Sequence, residues 1–189
     1  MFFLREFFLA VTRRWFPPAL TYFSVYQLPL KGNDSIVFNE YAFFKNNNPY
    51  RYSFSPDSVV IIGQPYVELK IIAQQSYAAM LNKILEENTG KNLHYLPHPL
   101  ETLYSSLLPS DVRIIQSQYP VEMLLLGSDV ITITGFNSSA LYNAAKMKLC
   151  RQIISYAFRP EHYIAEQNTE ANDRLIRTFR EAGIEIRCE

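Results

Sequence analysis

The chain has 189 residues, and 48% of them are apolar and 14% aromatic, which favours a folded domain with a sizeable core over disorder. Its 18 basic residues balance its 18 acidic residues, whereas a protein that binds duplex nucleic acid would be expected to carry a basic surplus. Cys150 and Cys188 lie far apart without a CxxC pair. This spacing argues against a disulfide framework and a zinc site, and it fits a reducing, cytoplasmic compartment.

Residues 1–57 form an aromatic-rich segment without regular alternation. Aromatic side chains recur at helical spacing among basic residues in residues 1–15, and Pro17 and Pro18 would end that helix. Two interpretations stay open: the helix packs on the chain itself, or its exposed aromatics dock on a missing domain, a second copy or the inner membrane face. Residues 20–28 and 36–38 predict short strands, and residues 46–49 predict a loop.

Strands and helices alternate from residue 58 onward. The sequence predicts strands at 59–62, 93–96, 112–115, 130–134, 153–157 and 184–186, and helices at 76–87, 100–108, 120–126, 139–148 and 169–182. The β-branched run at 59–62 is typical of a strand buried on both faces of a parallel sheet. Short connections between alternating elements imply right-handed crossovers. The expected fold class is therefore α/β, with residues 58–189 forming a Rossmann-like three-layer domain around a mostly parallel sheet.

A histidine stands at the carboxyl end of one predicted strand. The prolines on either side of His98 hold the backbone extended and prevent a helix from starting there. Ligands bind at this edge of an open parallel sheet, where helix starts offer N–H groups to an anion. Glu101 would enter the next helix, where the macrodipole favours a carboxylate that can reach back toward the imidazole. His98 is thus predicted to contact a ligand, with a turn cap as the alternative.

Three further strand-end loops would share that edge of the sheet. Gly63 and Gln64 follow the first strand, Glu122 stands beyond the third, and Ser138 and Ser139 begin a helix. Hydroxyls and free N–H groups at a helix start suit a phosphate, and a carboxylate can accept from ribose hydroxyls. The alternatives are ordinary N-caps for the serines and a first-turn charge for Glu122. Because the four loops converge, the sequence favours a ligand crevice there.

The same loops, taken in order, resemble a known family. The series Ile-Gly-Gln-Pro at 62–65, Tyr-Leu-Pro-His-Pro-Leu-Glu at 95–101, Pro-Val-Glu at 120–122 and Thr-Gly-Phe-Asn-Ser-Ser-Ala-Leu at 134–141 resembles bacterial lipooligosaccharide sialyltransferases, glycosyltransferase family 52. The resemblance runs from about residue 58 to the C-terminus. It implies the C-terminal, donor-binding half of a two-domain GT-B enzyme, which takes sialic acid from CMP-sialic acid and inverts the anomeric centre without a metal or other cofactor. Its partners would be CMP-sialic acid and a lipooligosaccharide or capsule glycan.

The resemblance also implies roles for individual residues. His98 would meet the CMP phosphate and protonate it as it leaves, Ser138 and Ser139 would bind the phosphate, and Glu122 would contact the nucleotide. A departing phosphate gains negative charge, which helix starts, hydroxyls and an imidazole can stabilise. The implied nucleotide-binding loops also contain Gly63, Gln64, Pro99 and Glu101.

One feature of bacterial sialyltransferases does not occur in this sequence, namely an acidic D/E-D/E-G triplet. Glu68 is the nearest carboxylate that could deprotonate an acceptor hydroxyl, with a solvated helix-entry charge as the alternative. The chain is therefore predicted to be a glycosyltransferase whose activity on its own is open. Two other interpretations stay open, a CDP-alcohol phosphotransferase of wall or capsule synthesis and a non-catalytic nucleotide-binding remnant.

Overall fold

The computed structural model describes residues 19–39, 41–47, 52–126, 128, 130, 132–164 and 169–188. The chain divides into two compact units, Met1–Ala42 and Phe43–Glu189. The predicted domain boundary between residues 57 and 58 stays a prediction. The predicted helix and docking surface of residues 1–15 lie outside the described residues, and no described helix combines the length and apolar character needed to cross a bilayer.

The first unit contains a small parallel pair of strands, β1 (Thr21–Ser24) and β2 (Ser35–Phe38). The predicted first strand ran to residue 28, but it ends earlier because the Ser24 hydroxyl accepts the N–H of Tyr26 at 2.9 Å and bends the chain.

The predicted loop at 46–49 is also partly wrong. Its first two residues belong to a short helix, α1 (Ala42–Asn47), whose last side chain donates back to the Phe43 carbonyl at 3.0 Å.

The second unit is built on a six-stranded sheet in which every pairing is parallel. Its strands are β3 (Ser58–Ile62), β4 (Asn92–Leu96), β5 (Arg113–Ile114), β6 (Thr132–Phe136), β7 (Gln152–Ala157) and β8 (Glu185–Cys188). They lie in the order β5-β4-β3-β6-β7-β8. The predicted Rossmann-like class is confirmed. The strand order reverses between β3 and β6, and ligands bind at this switch point in open α/β sheets.

Helices cover both faces of this sheet. They are α2 (Gln74–Glu87), α3 (Tyr104–Leu107), α4 (Val121–Leu125), α5 (Ser139–Met147) and α6 (Thr169–Glu181). Alternate residues of β3 point to opposite faces: Val59 and Ile61 join one buried apolar cluster, and Val60 and Ile62 join the other. The first cluster includes Met80 of α2, and the second includes Leu141 of α5. The domain therefore has three layers, as predicted.

Two local predictions near the carboxyl edge were wrong. The helix predicted from residue 100 begins only at Tyr104, because Glu101 is turned inward with 5% of its surface exposed and the N–H groups of Thr102 and Leu103 bond instead to Glu68. The strand predicted at 130–134 continues to Phe136, so Gly135 lies inside β6, where a Cβ would stand 2.6 Å from the carbonyl oxygen of Ile62. The glycine therefore allows the β3 and β6 backbones to approach at the switch point.

Candidate functional site

A cavity of about 600 Å³ lies at the carboxyl edge of the sheet, which is a volume typical of small-molecule sites. The ends of β3, β4 and β5 and the first residues of α4 and α5 line it. The cavity brings together most of the predicted site residues, namely Gly63, Gln64, His98, Pro99, Glu122, Ser138 and Ser139. Glu68 and Glu101 are not part of this lining.

The ring of His98 is held in one orientation by its own loop. Its Nδ1 accepts the backbone N–H of Leu100 at 3.1 Å, which assigns the proton of the neutral ring to Nε2. The His98 carbonyl accepts the N–H of Glu101 at 2.8 Å and closes the turn. Since His98 is half-buried and lines the cavity, its Nε2–H is the ring donor that a ligand can use.

The start of α5 combines a helix cap with unused donors. The Ser138 hydroxyl accepts the N–H of Ala140 at 3.2 Å, and this side chain is buried, whereas Ser139 is exposed. The N–H of Ser139 makes no hydrogen bond within the part of the chain that the structure describes. The preceding turn is fixed from β7, because Ser155 Oγ lies 3.1 Å from both the N–H and the Oδ1 of Asn137. An anion at this helix start would meet free donors and the positive end of the helix dipole.

The carboxylate of Glu122 is oriented by a neighbouring helix. Its Oε1 accepts from the Asn143 side chain of α5 at 2.7 Å. His98 and Glu122 are the only acidic or basic side chains among the described residues that line the cavity. An anionic ligand would therefore depend on His98 and the start of α5 for charge stabilisation rather than on lysine or arginine.

Glu68 has a structural partner outside the cavity. Its Oε1 accepts the N–H groups of Thr102 at 2.6 Å and Leu103 at 3.1 Å, ahead of α3. Burial opposes ionisation of this carboxyl, but the hydrogen bonds from Thr102 and Leu103 outweigh it and lower its pKa. These contacts favour a role in holding the turn ahead of α3 over the predicted role of a general base, which works best with a pKa near the operating pH.

Glu101 is also placed differently from the prediction. Its Oε2 accepts the backbone N–H of His98 at 3.1 Å rather than contacting the imidazole. Burial raises the pKa of Glu101, although hydrogen bonds from Tyr95, His98 and Tyr77 oppose that shift. The carboxylate thus lies beneath the loop that carries the histidine.

Four residues that support the site were not predicted from the sequence. Cavity residues are hydrogen-bonded by Tyr77 and Asn143, and residues next to the cavity are hydrogen-bonded by Tyr95 and Ser155. Ser155 carried a local signal, because it is a polar residue inside the apolar strand β7, and it is fully buried. Such a side chain must find a partner, which here is the loop of Asn137.

Comparison with known proteins identifies the family of this chain. The model of the family described as alpha-2,8-polysialyltransferase matches residues 21–157, which is nearly three quarters of the chain. No curated protein matches the chain. The predicted resemblance to a sialyltransferase is confirmed at the level of this type of family, whereas the match does not single out glycosyltransferase family 52 or a C-terminal half. With its parallel sheet, its cavity at the switch point and this match, the chain belongs to the alpha-2,8-polysialyltransferase family and so to the sialyltransferase type of glycosyltransferases.

Proposed function

We propose that the cavity binds CMP-sialic acid and that the protein transfers sialic acid from it to a glycan, with inversion at the anomeric carbon and without a metal. The observation that carries the proposal is the meeting of His98 and the serine-bearing start of α5 in one cavity, in a chain of the sialyltransferase type. A phosphate between them would contact an imidazole N–H, the serine hydroxyls and the N–H of Ser139.

The proposed reaction places the developing charge near these donors. The bond between the anomeric carbon of sialic acid and the phosphate oxygen of CMP breaks, and an acceptor oxygen bonds to that carbon from the opposite side. The acceptor hydroxyl passes its proton to solvent water, and the departing phosphate keeps the electron pair of the broken bond as negative charge. The Nε2–H of His98 donates a hydrogen bond to that phosphate, while Ser138 and Ser139 also stabilise it, so charge stabilisation is strongest in the transition state.

The remaining contacts suit the other parts of the donor. Glu122, held by Asn143, presents a carboxylate that accepts from ribose hydroxyls. The family description fits an acceptor that itself ends in sialic acid, as a lipooligosaccharide or capsule glycan can. The acceptor is therefore proposed to be a sialylated glycan.

The direct test of the binding proposal is a calorimetric titration with CMP and with cytidine. The double variant Ser138→Ala and Ser139→Ala should weaken CMP by about tenfold or more and cytidine far less, because charge-assisted hydrogen bonds to the phosphate are lost. The matched control is Ser105→Ala with Ser106→Ala, since this serine pair of α3 lies outside the cavity lining. The control should bind both ligands as the unchanged protein does.

Two outcomes would contradict the proposal. Equal loss of CMP and cytidine affinity in the cavity double variant would mean that the serines only cap α5. Stronger competition against bound CMP by CDP-glycerol than by CMP-sialic acid would favour the CDP-alcohol phosphotransferase instead.

Transfer and CMP binding should also persist in the presence of a chelator.

A further inference from the structure

A buried carboxylate lies behind the cavity and receives hydrogen bonds from three donors. Glu101 Oε1 accepts from the hydroxyl of Tyr95 at 2.5 Å and from that of Tyr77 at 3.0 Å. Its Oε2 accepts the backbone N–H of His98 at 3.1 Å. Glu101 is 5% exposed, and it takes part in none of the ion pairs among the described residues. Within the described part of the chain, the hydrogen bonds compensate for burying this charge.

The hydrogen-bonded cluster of Glu101, Tyr77 and Tyr95 also holds a second loop that lines the cavity. The hydroxyl of Tyr77 accepts the backbone N–H of Gln64 at 3.2 Å while it donates to Glu101. A hydroxyl can do both at once, since it has one proton and two lone pairs. Gln64 and His98 follow neighbouring strands, and both line the cavity. One carboxylate thus connects, directly or through one tyrosine, to the backbones of two ligand-facing loops.

Gly63 completes the cluster because it leaves room for the carboxylate. A Cβ at this position would lie 2.1 Å from Oε2 of Glu101 and 2.5 Å from the hydroxyl of Tyr95. No side chain can be accommodated there unless Glu101 moves. Gly63, which was predicted to belong to a nucleotide-binding loop, therefore allows the carboxylate to pack against the end of β3.

We propose that Glu101 is a positioning residue that fixes the Gln64 and His98 loops for the donor nucleotide. The identity of the ligand rests on the proposed function, whereas the positioning role of Glu101 rests on the hydrogen bonds described above. A buried charge that pairs with no cation among the described residues contributes little to stability by itself, because apolar packing is often at least as stable. A carboxylate can only accept hydrogen bonds, which suits the three donors that converge on Glu101. A glutamine would turn an NH₂ group toward at least one of them.

The test compares two glutamate-to-glutamine variants. Glu101→Gln should weaken CMP by about tenfold or more, and it should accelerate amide hydrogen exchange at His98. Glu87→Gln is the matched control, because Glu87 also accepts from a buried tyrosine hydroxyl, that of Tyr156, but lies outside the cavity lining. The control should keep the CMP affinity and the His98 exchange rate, whatever it does to the unfolding midpoint.

A second variant separates positioning from a general loss of stability. Tyr77→Phe keeps the ring but removes the acceptor of the Gln64 N–H, so exchange should accelerate at Gln64 while His98 stays protected. Uniform acceleration at both amides, or unchanged exchange at Gln64, would overturn the proposal. If Glu101→Gln does not fold, this variant decides the question by itself.

The two proposals can fail separately. If the unchanged protein does not bind CMP, the proposed function fails, and exchange at His98 in Glu101→Gln still decides whether Glu101 holds the loop. If CMP binds but Glu101→Gln alters neither affinity nor exchange, the positioning role fails alone.

Discussion

The two ends of β4 place two histidines in opposite environments. His94 is the middle residue of β4, and its ring packs toward the amino end of the sheet. It is 8% exposed, its Nε2 lies 3.2 Å from Ser58 Oγ, and its ring meets Phe54 edge-on with centroids 5.1 Å apart. Beyond the carboxyl end, His98 is half-buried and lines the cavity, and its Nδ1 accepts a backbone N–H. The same residue type thus packs in a core at one end and offers a donor to a ligand at the other.

The surroundings rather than the residue explain this difference. Burial, and then the charge of Arg113, lower the pKa of His94 and keep its ring neutral, against a weaker opposing effect of Asp57. Its Nδ1 is buried without a partner among the described residues. A ring enclosed in this way contributes packing, whereas the prolines that flank His98 keep its loop open at the sheet edge.

The largest expected effect is loss of catalysis at the carboxyl end. His98→Ala should reduce transfer from CMP-sialic acid by about 10²–10³-fold and spare much of the CMP affinity, because a hydrogen bond to the charge that develops on the phosphate is strongest in the transition state. Transfer is measured with a labelled donor, and binding is measured by calorimetry. Full turnover without His98 would mean that the whole site around it has been assigned wrongly.

The same substitution at the amino end should have the reverse result. His94→Ala should lower the free energy of unfolding by about 2 kcal/mol, since it leaves a cavity beside Phe54 and removes a buried partner of Ser58. Denaturant titration measures this loss. CMP affinity should stay unchanged, and a weakened affinity would show that the two ends of β4 are coupled.

The contrast between the two ends also shows what could be predicted from the sequence. The parallel sheet and the convergence of its loops were predictable, because β-branched runs and strand-end prolines are local signals. The late start of α3 was not, because it depends on Glu68, which lies 34 residues before Thr102. The role of Glu101 was missed for the same reason, since it depends on Tyr77, 24 residues away in sequence. The role of Gly63 depends on Tyr95 and Glu101, which also lie far along the chain.

A smaller effect is expected for the other predicted catalytic residue, Glu68. Glu68→Gln should lower the free energy of unfolding by about 1 kcal/mol, because the N–H groups of Thr102 and Leu103 lose a charged acceptor. Transfer should remain within a few-fold of the unchanged protein. A fall of about a hundredfold in the rate at constant stability would instead support the general-base role.

The smallest effect concerns the pH dependence of stability at the amino end of β4. Because the pKa of His94 lies below its ordinary value of 6.5 in the folded protein, the unfolded chain binds this proton first as the pH falls. The contribution of His94 is fully present above pH 6.5 and is lost below it, with a slope of at most about 1.4 kcal/mol per pH unit. The lowered pKa of Glu68 matters only at more acidic pH, below about 4.5.

His94→Phe isolates this slope from every other group. The variant keeps an aromatic ring against Phe54 but cannot bind a proton, so its free energy of unfolding should fall less steeply than that of the unchanged protein as the pH drops below 6.5. The raised pKa of Glu101 acts with the opposite sign, since its contribution is lost as the pH rises, but it is common to both proteins and cancels in the difference. Parallel slopes would show that His94 titrates in the folded protein as it does in the unfolded chain, and the contrast between the two histidines would then rest on geometry alone.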